Sequence, residues 1–338
     1  MLLTCVRLLS EWEQLNEEYE SLAAKCYADA TWSTKSTQLK KYLEFCNLYS
    51  EFVTSSPCPP RQVALYITHL SRTLKYSSVR GYVSALSIFL ELVGGRGVDY
   101  KNHLVSTAFQ GARRVLGQKV KQAAPLLPSH IVKLGEMLTE GPGHVAFRAA
   151  LLLSFRALLR KQNVTDSDAM LTREDITIYK WGMMVRVRKS KTIQFQQKEL
   201  LIPVTRVRDI RLCAVHWVSR HLDEVKAPKS APLFLVPDEF GPRAQTYSDY
   251  SLTLKIACKR AGLIEKNFSS HSLRRGGTTF LGMIGVNIEE IRACGDWKSD
   301  CVYEYLKTPL DVRVEQDLKV ASLLESLADT QLGSAVEW

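Results

Sequence analysis

Residues 271–280 read HSLRRGGTTF, placing a histidine, two arginines and two glycines within ten positions. Guanidinium groups at this density bind an oxyanion through paired N–H donors, and an adjacent imidazole can move a proton. A solvated basic turn has the same composition, so the rest of the chain carries the decision. Three further stretches in the same half hold candidate groups. In LLLSFRALLRKQNV, Arg156 and Arg160 lie four apart, which predicts a shared helical face. In VRVRKSKT, strand alternation places Lys189 and Lys191 at a strand end, where they are also ordinary hairpin-tip residues. In VNIEEIRACGDWKSDCVYEYL, Asn287 and Glu290 form a cap-like pair, Gly295 ends the helix, and Ser299 or Asp300 starts the next. Tyr303 and Tyr305, two positions apart, must then point to different faces, one packed and one outward. In the 271–280 stretch itself, Ser269 or Ser270 is predicted to cap a helix whose exposed face carries His271 and Arg274. Gly276 and Gly277 are poor helix formers and predict close approach of another backbone.

Several chemistries find no support. There is no GxxxxGK[ST] loop, no dinucleotide fingerprint, no HExxH and no EF-hand loop, so neither a metal nor a nucleotide cofactor is expected. The eight cysteines, at 5, 26, 46, 58, 213, 258, 294 and 301, form no CxxC pair and are read as isolated buried thiols in a reducing compartment. Lys and Arg number 45 against 35 Asp and Glu, a formal charge of 45 − 35 = +10, which points to a polyanionic partner and first to nucleic acid. The opening MLLTCVRLLSEW is too short and too soon charged for a signal peptide, and no apolar run approaches the roughly 20 residues needed to span a bilayer. A soluble, intracellular protein is expected, with no membrane partner.

Positioning these groups requires two domains, for which 338 residues suffice. The first 115 residues read as helices throughout. Trp12, Leu15, Tyr19 and Leu22 have helical spacing; Ser33 or Ser36 is the expected cap of a second helix with Leu39, Tyr42, Leu43 and Cys46 on one face. SSPCPP is a break, followed by amphipathic RQVALYITHLSRTL, then SSVRGYVSALSIFLELVGG closed by Gly94 and Gly95, then basic VSTAFQGARRVLGQKVKQ. This predicts a small all-α domain over 1–120 and a linker over 121–130, KQAAPLLPSH. Over 131–338 the pattern changes to mainly α with one small antiparallel sheet. HVAFRAALLLSFRALLRKQNV is a strongly apolar helix; EDITIYKWGMMVRVRKSKT alternates around a turn at Lys180–Gly182; KELLIPV adds a third strand. Helices follow, around a long coil at APKSAPLFLVPDEFGPRAQ.

Arg, Lys, His-x-x-Arg, Trp and Tyr in this order resemble the active site of the tyrosine recombinases, or phage integrases. LLRKQN, HSLRRGG and GDWKSD together look most like the recombinases of the eukaryotic DIRS, Ngaro and Crypton mobile elements. The resemblance covers both domains. It implies a mainly α fold, with an N-terminal helical, SAM-like core-binding domain and a C-terminal α+β catalytic domain. Carried over by position, the catalytic set is Arg160, Lys191 (Lys189 as runner-up), His271, Arg274, Trp297 and Tyr305. Tyr305 stands eight residues after Trp297, which selects it over Tyr303; Tyr303 is then expected to pack against the domain. One departure is Asn163, where many members carry an acid three residues after the first arginine.

The implied reaction is DNA cleavage and rejoining through a 3′-phosphotyrosyl bond, without metal or ATP. Arg160 and Arg274 suit the non-bridging oxygens, which gain charge during attack. His271 handles the tyrosine proton or steadies the phosphate, Trp297 offers its indole N–H, and Lys191 protonates the departing 5′ oxygen. Expected partners are double-stranded DNA and three further copies of the chain, since strand exchange between two duplexes uses four sites. The implied location is the nucleus if the host is eukaryotic. The amphipathic tail VEQDLKVASLLESLAD is expected to dock on a neighbouring subunit or to fold back. Two alternatives stand beside this: relaxation of DNA in the manner of a type IB topoisomerase, and a domesticated DNA-binding protein without catalysis.

Overall fold

Helix boundaries in the N-terminal part follow from a few residues with special backbone demands. The computed structural model describes residues 2–117, 122–138, 143–193, 198–306, 314 and 317–322, with side chains from Glu13 onward except at Ala30. Two compact units divide at 121/122. Among its described residues the first holds five helices: α1 (Leu2–Ala24), α2 (Asp29–Leu48), α3 (Pro60–Ser71), α4 (Tyr76–Leu92) and α5 (His103–Leu116). Pro60 opens α3, where its missing N–H costs nothing, and the Asn102 side chain accepts the Leu104 N–H at 3.0 Å to cap α5. Gly94, in the left-handed region at φ 78°, turns the chain out of α4. Helix α2 starts at Asp29, so neither Ser33 nor Ser36 is its cap; an acid in the first turn complements the helix dipole instead.

Tyr42, Tyr66, Ile67, Leu70, Val79, Val83 and Leu86 form the core of this unit, with Phe45 and Cys46 packed beside them. Leu43, predicted to share the buried face, is exposed. Leu15, Tyr19 and Leu22 keep their helical spacing on α1 but stand exposed.

The second unit begins with residues expected to be a linker. From Gln122 on they pack: the Ala124 N–H donates to Asn267 and the Leu126 N–H to Ser272, and Leu126 is fully buried. An extended, proline-bounded stretch offers backbone donors to a neighbour, which is why composition alone suggested a tether. Next come α6 (Pro128–Glu136) and α7 (His144–Arg156), the latter buried on nearly every side from Val145 to Phe155. A short α8 (Lys161–Val164) precedes the sheet. Strands β1 (Ile176–Ile178), β2 (Gly182–Val187) and β3 (Leu200–Thr205) pair antiparallel in that order, with Val185 opposite Ile176 and Ile202. Alternation along β2 buries Met183, Val185 and Val187.

Helix α9 (Ala214–Glu224) lies against α7. The segment read as coil contains a small hairpin, β4 (Leu235–Val236) with β5 (Arg243–Ala244), too short for an alternating pattern to register. Helices α10 (Tyr247–Arg260), α11 (His271–Met283) and α12 (Ile288–Gly295) and a 3₁₀ turn at Asp300–Glu304 complete the described fold. Of the C-terminal tail only residues 314 and 317–322 are described, and Val314, Leu318 and Val320 there are exposed; the expectation that the tail docks on a neighbour or folds back rests mostly on residues outside the described ones. No helix among the described residues is long and apolar enough to cross a membrane. Of the cysteines, Cys46, Cys213 and Cys258 are buried as expected, whereas Cys26, Cys294 and Cys301 are exposed.

The two glycines of HSLRRGG have the predicted role. A Cβ at Gly276 would strike the Leu126 carbonyl, and one at Gly277 the Phe155 carbonyl. Both obstacles are backbone and cannot swing aside. Helix α11 therefore lies against two main-chain segments at once, which fixes its height in the unit. Gly276→Ala should lower unfolding free energy by about 1–3 kcal/mol or more in chemical denaturation. Gly111→Ala, on an exposed α5 position with nothing near the new methyl, should instead raise it by roughly 0.5–1 kcal/mol.

Candidate active site

The site is assembled from four segments that α7 and α11 hold in place. Helix α7 stops at Arg156 because Leu158 adopts a left-handed conformation, φ 50°, which a branched side chain takes only under constraint. Arg160 consequently does not continue the helical face of Arg156. It is the N-cap of α8, while Arg156 donates to Thr205 Oγ1 at 3.2 Å. The reversal at Leu158 aims its carbonyl at α11, where it accepts from Arg274 Nη1.

Arg274 is the most constrained charge here. It is 3% exposed, not on the outer face of α11 as helical spacing predicted. Nη1 is committed to Leu158 and Nη2 donates to the Gly295 carbonyl at 2.6 Å. The guanidinium lies over the Trp297 ring, 3.9 Å from its centre. Carbonyl acceptors and a π face replace the lost water, so the cation can be buried. Burial and the nearby charge of Arg160 both push its pKa down, while Tyr305 and Asp296 oppose them. Burial likewise lowers Arg160, with Asp296, Tyr305 and Cys301 opposing.

His271 opens α11 at the exposed edge of the group. Partial burial, then Arg274, Lys161, Arg275 and Arg160, hold its pKa below the ordinary histidine value. At neutral pH the imidazole is therefore uncharged and able to accept a proton. Trp297 is 7% exposed and packs with Leu158, Ile291 and Val302. Its ring lies so close to Gly295 that no side chain fits there.

Tyr305 closes the 3₁₀ turn, its carbonyl accepting from Thr279 Oγ1 of α11 at 3.0 Å. Its ring meets Trp297 edge-on, centres 5.2 Å apart, and faces the guanidiniums of Arg275 at 5.4 Å and Arg274 at 5.8 Å. Tyr303 is 56% exposed, so the expectation that it packs against the domain is corrected. The segment is 3₁₀, not α; two residues there rotate by roughly 240°, so one phenol faces inward and the other outward.

Lys189 and Lys191 follow β2 and are exposed. Ser190 and Ile193 exchange backbone hydrogen bonds of 3.2 and 3.1 Å, closing a tight turn with Lys191 and Thr192 at its tip. The structure thus brings together Arg160, His271, Arg274, Trp297 and Tyr305, and places Lys191 on a turn bonded through Thr192 to Asp296, the neighbour of Trp297. Among the described residues, no group of three or more His, Cys, Asp or Glu is placed to hold a metal ion.

Sequence reasoning passed over several contributors. Arg275, the second arginine of the pair, donates to Gln122 Oε1 at 2.8 Å and the Ala123 carbonyl at 3.0 Å, pinning the former linker to α11. Asn163, noted only as a departure, is 2% exposed and makes three hydrogen bonds. Its Oδ1 accepts the Arg160 N–H at 3.2 Å, and Nδ2 donates to the carbonyls of Ala169 at 3.0 Å and Lys189 at 3.1 Å. An amide is required because a carboxylate has no N–H to give.

No family model matches the chain. A curated relative does: an integrase/recombinase XerD homolog from Selenomonas ruminantium, 25% identical over 272 residues, covering 79% of this chain and 78% of the relative. In sequence the chain is similar to this integrase/recombinase, and its mostly helical fold with a small antiparallel sheet matches that of the tyrosine recombinases. Solved structures share the architecture. The Tn1549 transposon integrase in complex with transposon right end DNA superposes with a TM-score of 0.61 at 14% identity, over 90% of this chain and 98% of that one. XerH site-specific recombinase bound to difH substrate gives 0.58 at 14% identity, over 85% and 78%. A lambda integrase dimer bound to a COC′ core site gives 0.57 at 16% identity, over 87% and 94%. The recombinase fold thus positions the clustered side chains of this chain.

Asn163→Asp tests the amide requirement. It removes two donated bonds and sets a buried carboxylate against the Ala169 and Lys189 carbonyls. Stability should fall by about 1–3 kcal/mol in denaturant titration. Unchanged stability would show that the two carbonyls do not need the amide.

Proposed function

We propose that this chain is a site-specific DNA recombinase that cleaves and rejoins double-stranded DNA through a covalent 3′-phosphotyrosyl bond. One observation carries the reading. Arg160, His271, Arg274, Trp297 and Tyr305, from separate segments, meet where two guanidiniums lie in each other's field beside a phenol. Like charges held together in a partly buried place await an anion, and a phosphodiester is an anion that guanidinium planes match. The relatives support the choice of DNA, since the Tn1549 integrase structure contains transposon right end DNA and the other two are bound to a core site and to a difH substrate. The basic excess of +10 agrees. The motifs HSLRRGG and GDWKSD support the mobile-element branch of the family.

In this mechanism the Tyr305 oxygen attacks phosphorus while Arg160 and Arg274 stabilise the charge growing on the non-bridging oxygens. The neutral His271 takes the phenolic proton, directly or through water. The bond from phosphorus to the 5′ oxygen breaks, and Lys191 supplies that oxygen with a proton. Ester energy is kept in the phosphotyrosine, so attack by a 5′ hydroxyl reverses the step without ATP. Arg274 retains a structural duty, since two of its N–H groups already serve protein carbonyls. Exchange between two duplexes calls for four chains on paired sites.

The nucleophile can be tested with a nicked suicide substrate built from the flanking element ends. Tyr305→Phe should form no covalent adduct while folding and DNA binding persist; Tyr303→Phe should form it at close to the parental rate. Peptide mapping should place DNA on Tyr305. An adduct mapped to Tyr303, or none in the parent, would overturn the assignment.

DNA affinity should also fall steeply with salt. Contacts to 6–10 phosphates predict a loss of roughly 10³–10⁵ in affinity between about 50 and 200 mM salt. A flat response measured by fluorescence anisotropy in EDTA would contradict binding along the phosphate backbone.

A further inference from the structure

A carboxylate beside an oxyanion site weakens it, because like charges repel. Asp296 is such a carboxylate: it lies between Gly295, whose carbonyl holds Arg274, and Trp297, on which Arg274 stacks. It is 6% exposed and adopts a left-handed conformation, φ 51°, that turns its side chain out of the end of α12. Oδ2 accepts from Thr192 Oγ1, and Oδ1 accepts from Lys198 Nζ at 2.6 Å. One carboxylate thus grips the loop between β2 and β3 at two points, 192 and 198. Thr192 shares the tip of its turn with Lys191, and the turn is further stiffened by the Ser190 hydroxyl, 3.0 Å from Thr192 Oγ1.

We propose that Asp296 is a positioning residue that fixes the Lys191 turn against the arginine clamp, so that proton delivery to the departing 5′ oxygen depends on it. The inference rests on the recombinase reading above. Residues 295–297 touch the clamp on one side and the lysine turn on the other, so a single peptide segment sets their separation. Burial alone would raise the Asp296 pKa, but Lys198, Thr192 and Arg160 outweigh it and hold the group below the usual aspartate value. The acceptor is therefore a full anion at working pH, which suits two donors at once.

The test uses substrates that differ only in the leaving atom. On an ordinary suicide substrate, Thr192→Val and Asp296→Asn should each slow adduct formation, by about 10–100-fold, with DNA affinity unchanged. On a substrate carrying a 5′-bridging phosphorothiolate, whose sulfur leaves without a proton, both should react within about threefold of the parent. Lys191→Ala should show the same rescue. Thr192→Val leaves the carboxylate and its Lys198 partner in place, so it separates loss of the tether from loss of the charge. Equal slowing on both substrates would mean that Asp296 acts on the clamp or on folding, and would overturn the proposal. Failure of the parent protein to form any adduct would instead remove the recombinase reading beneath it.

Discussion

A buried guanidinium has to be surrounded by acceptors, and Arg274 imposes that requirement on the second unit. Its two acceptor carbonyls come from Leu158 and Gly295, both at points where a helix has just stopped. Helix ends are where carbonyls lack intrahelical partners, so they are the natural place to seat a cation. Reaching both requires α11 to lie low between neighbouring main chains, which Gly276 and Gly277 allow. It also requires Leu158 to adopt a left-handed backbone, a cost of about 1–3 kcal/mol that the surrounding packing must offset. The glycines, the strained leucine, the short helix end and the stacked tryptophan are thus parts of one arrangement.

That arrangement leaves positive charge concentrated at one point. Burial weakens the hold of both Arg160 and Arg274 on their protons, and the charge of Arg160 weakens that of Arg274 further. Burial first, and then the same field, hold His271 below the ordinary histidine value, which favours the neutral form that can accept a proton. Tyr305 enters this field ring-first, anchored through its carbonyl by Thr279. Its ring faces the guanidiniums of Arg274 and Arg275, whereas Tyr303 faces outward, so the geometry favours Tyr305.

The loop after β2 is braced from two directions by groups of different chemistry. Asn163 donates to the Lys189 carbonyl, tying the strand end to the backbone of Arg160. Asp296 accepts from Thr192 and Lys198, tying the tip of the loop to the segment beside Trp297. A neutral amide serves where the partner is a carbonyl, and a carboxylate serves where the partners are a hydroxyl and an ammonium. Exchange of the two residue types would leave the Ala169 and Lys189 carbonyls without their donor and Lys198 without its anion.

By itself the sequence determined the elements and the inventory of reactive groups. Alternation marked β2 and β3, the break at SSPCPP separated helices, and the adjacent glycines signalled backbone contact, because each is a local pattern with a local cause. The cations and the tyrosine pair were visible as residue types in order. Burial and partnership were not. Arg274 looked like an exposed residue on a basic helix, and Tyr303 like the packed member of its pair. The acceptors of Arg274 lie 116 and 21 positions away, and Thr192 lies 104 positions before Asp296. No spacing rule spans such distances. Only the tertiary fold decided which carbonyl faces which cation, because hydrogen bonding is satisfied by proximity in space and leaves no periodic trace in the chain.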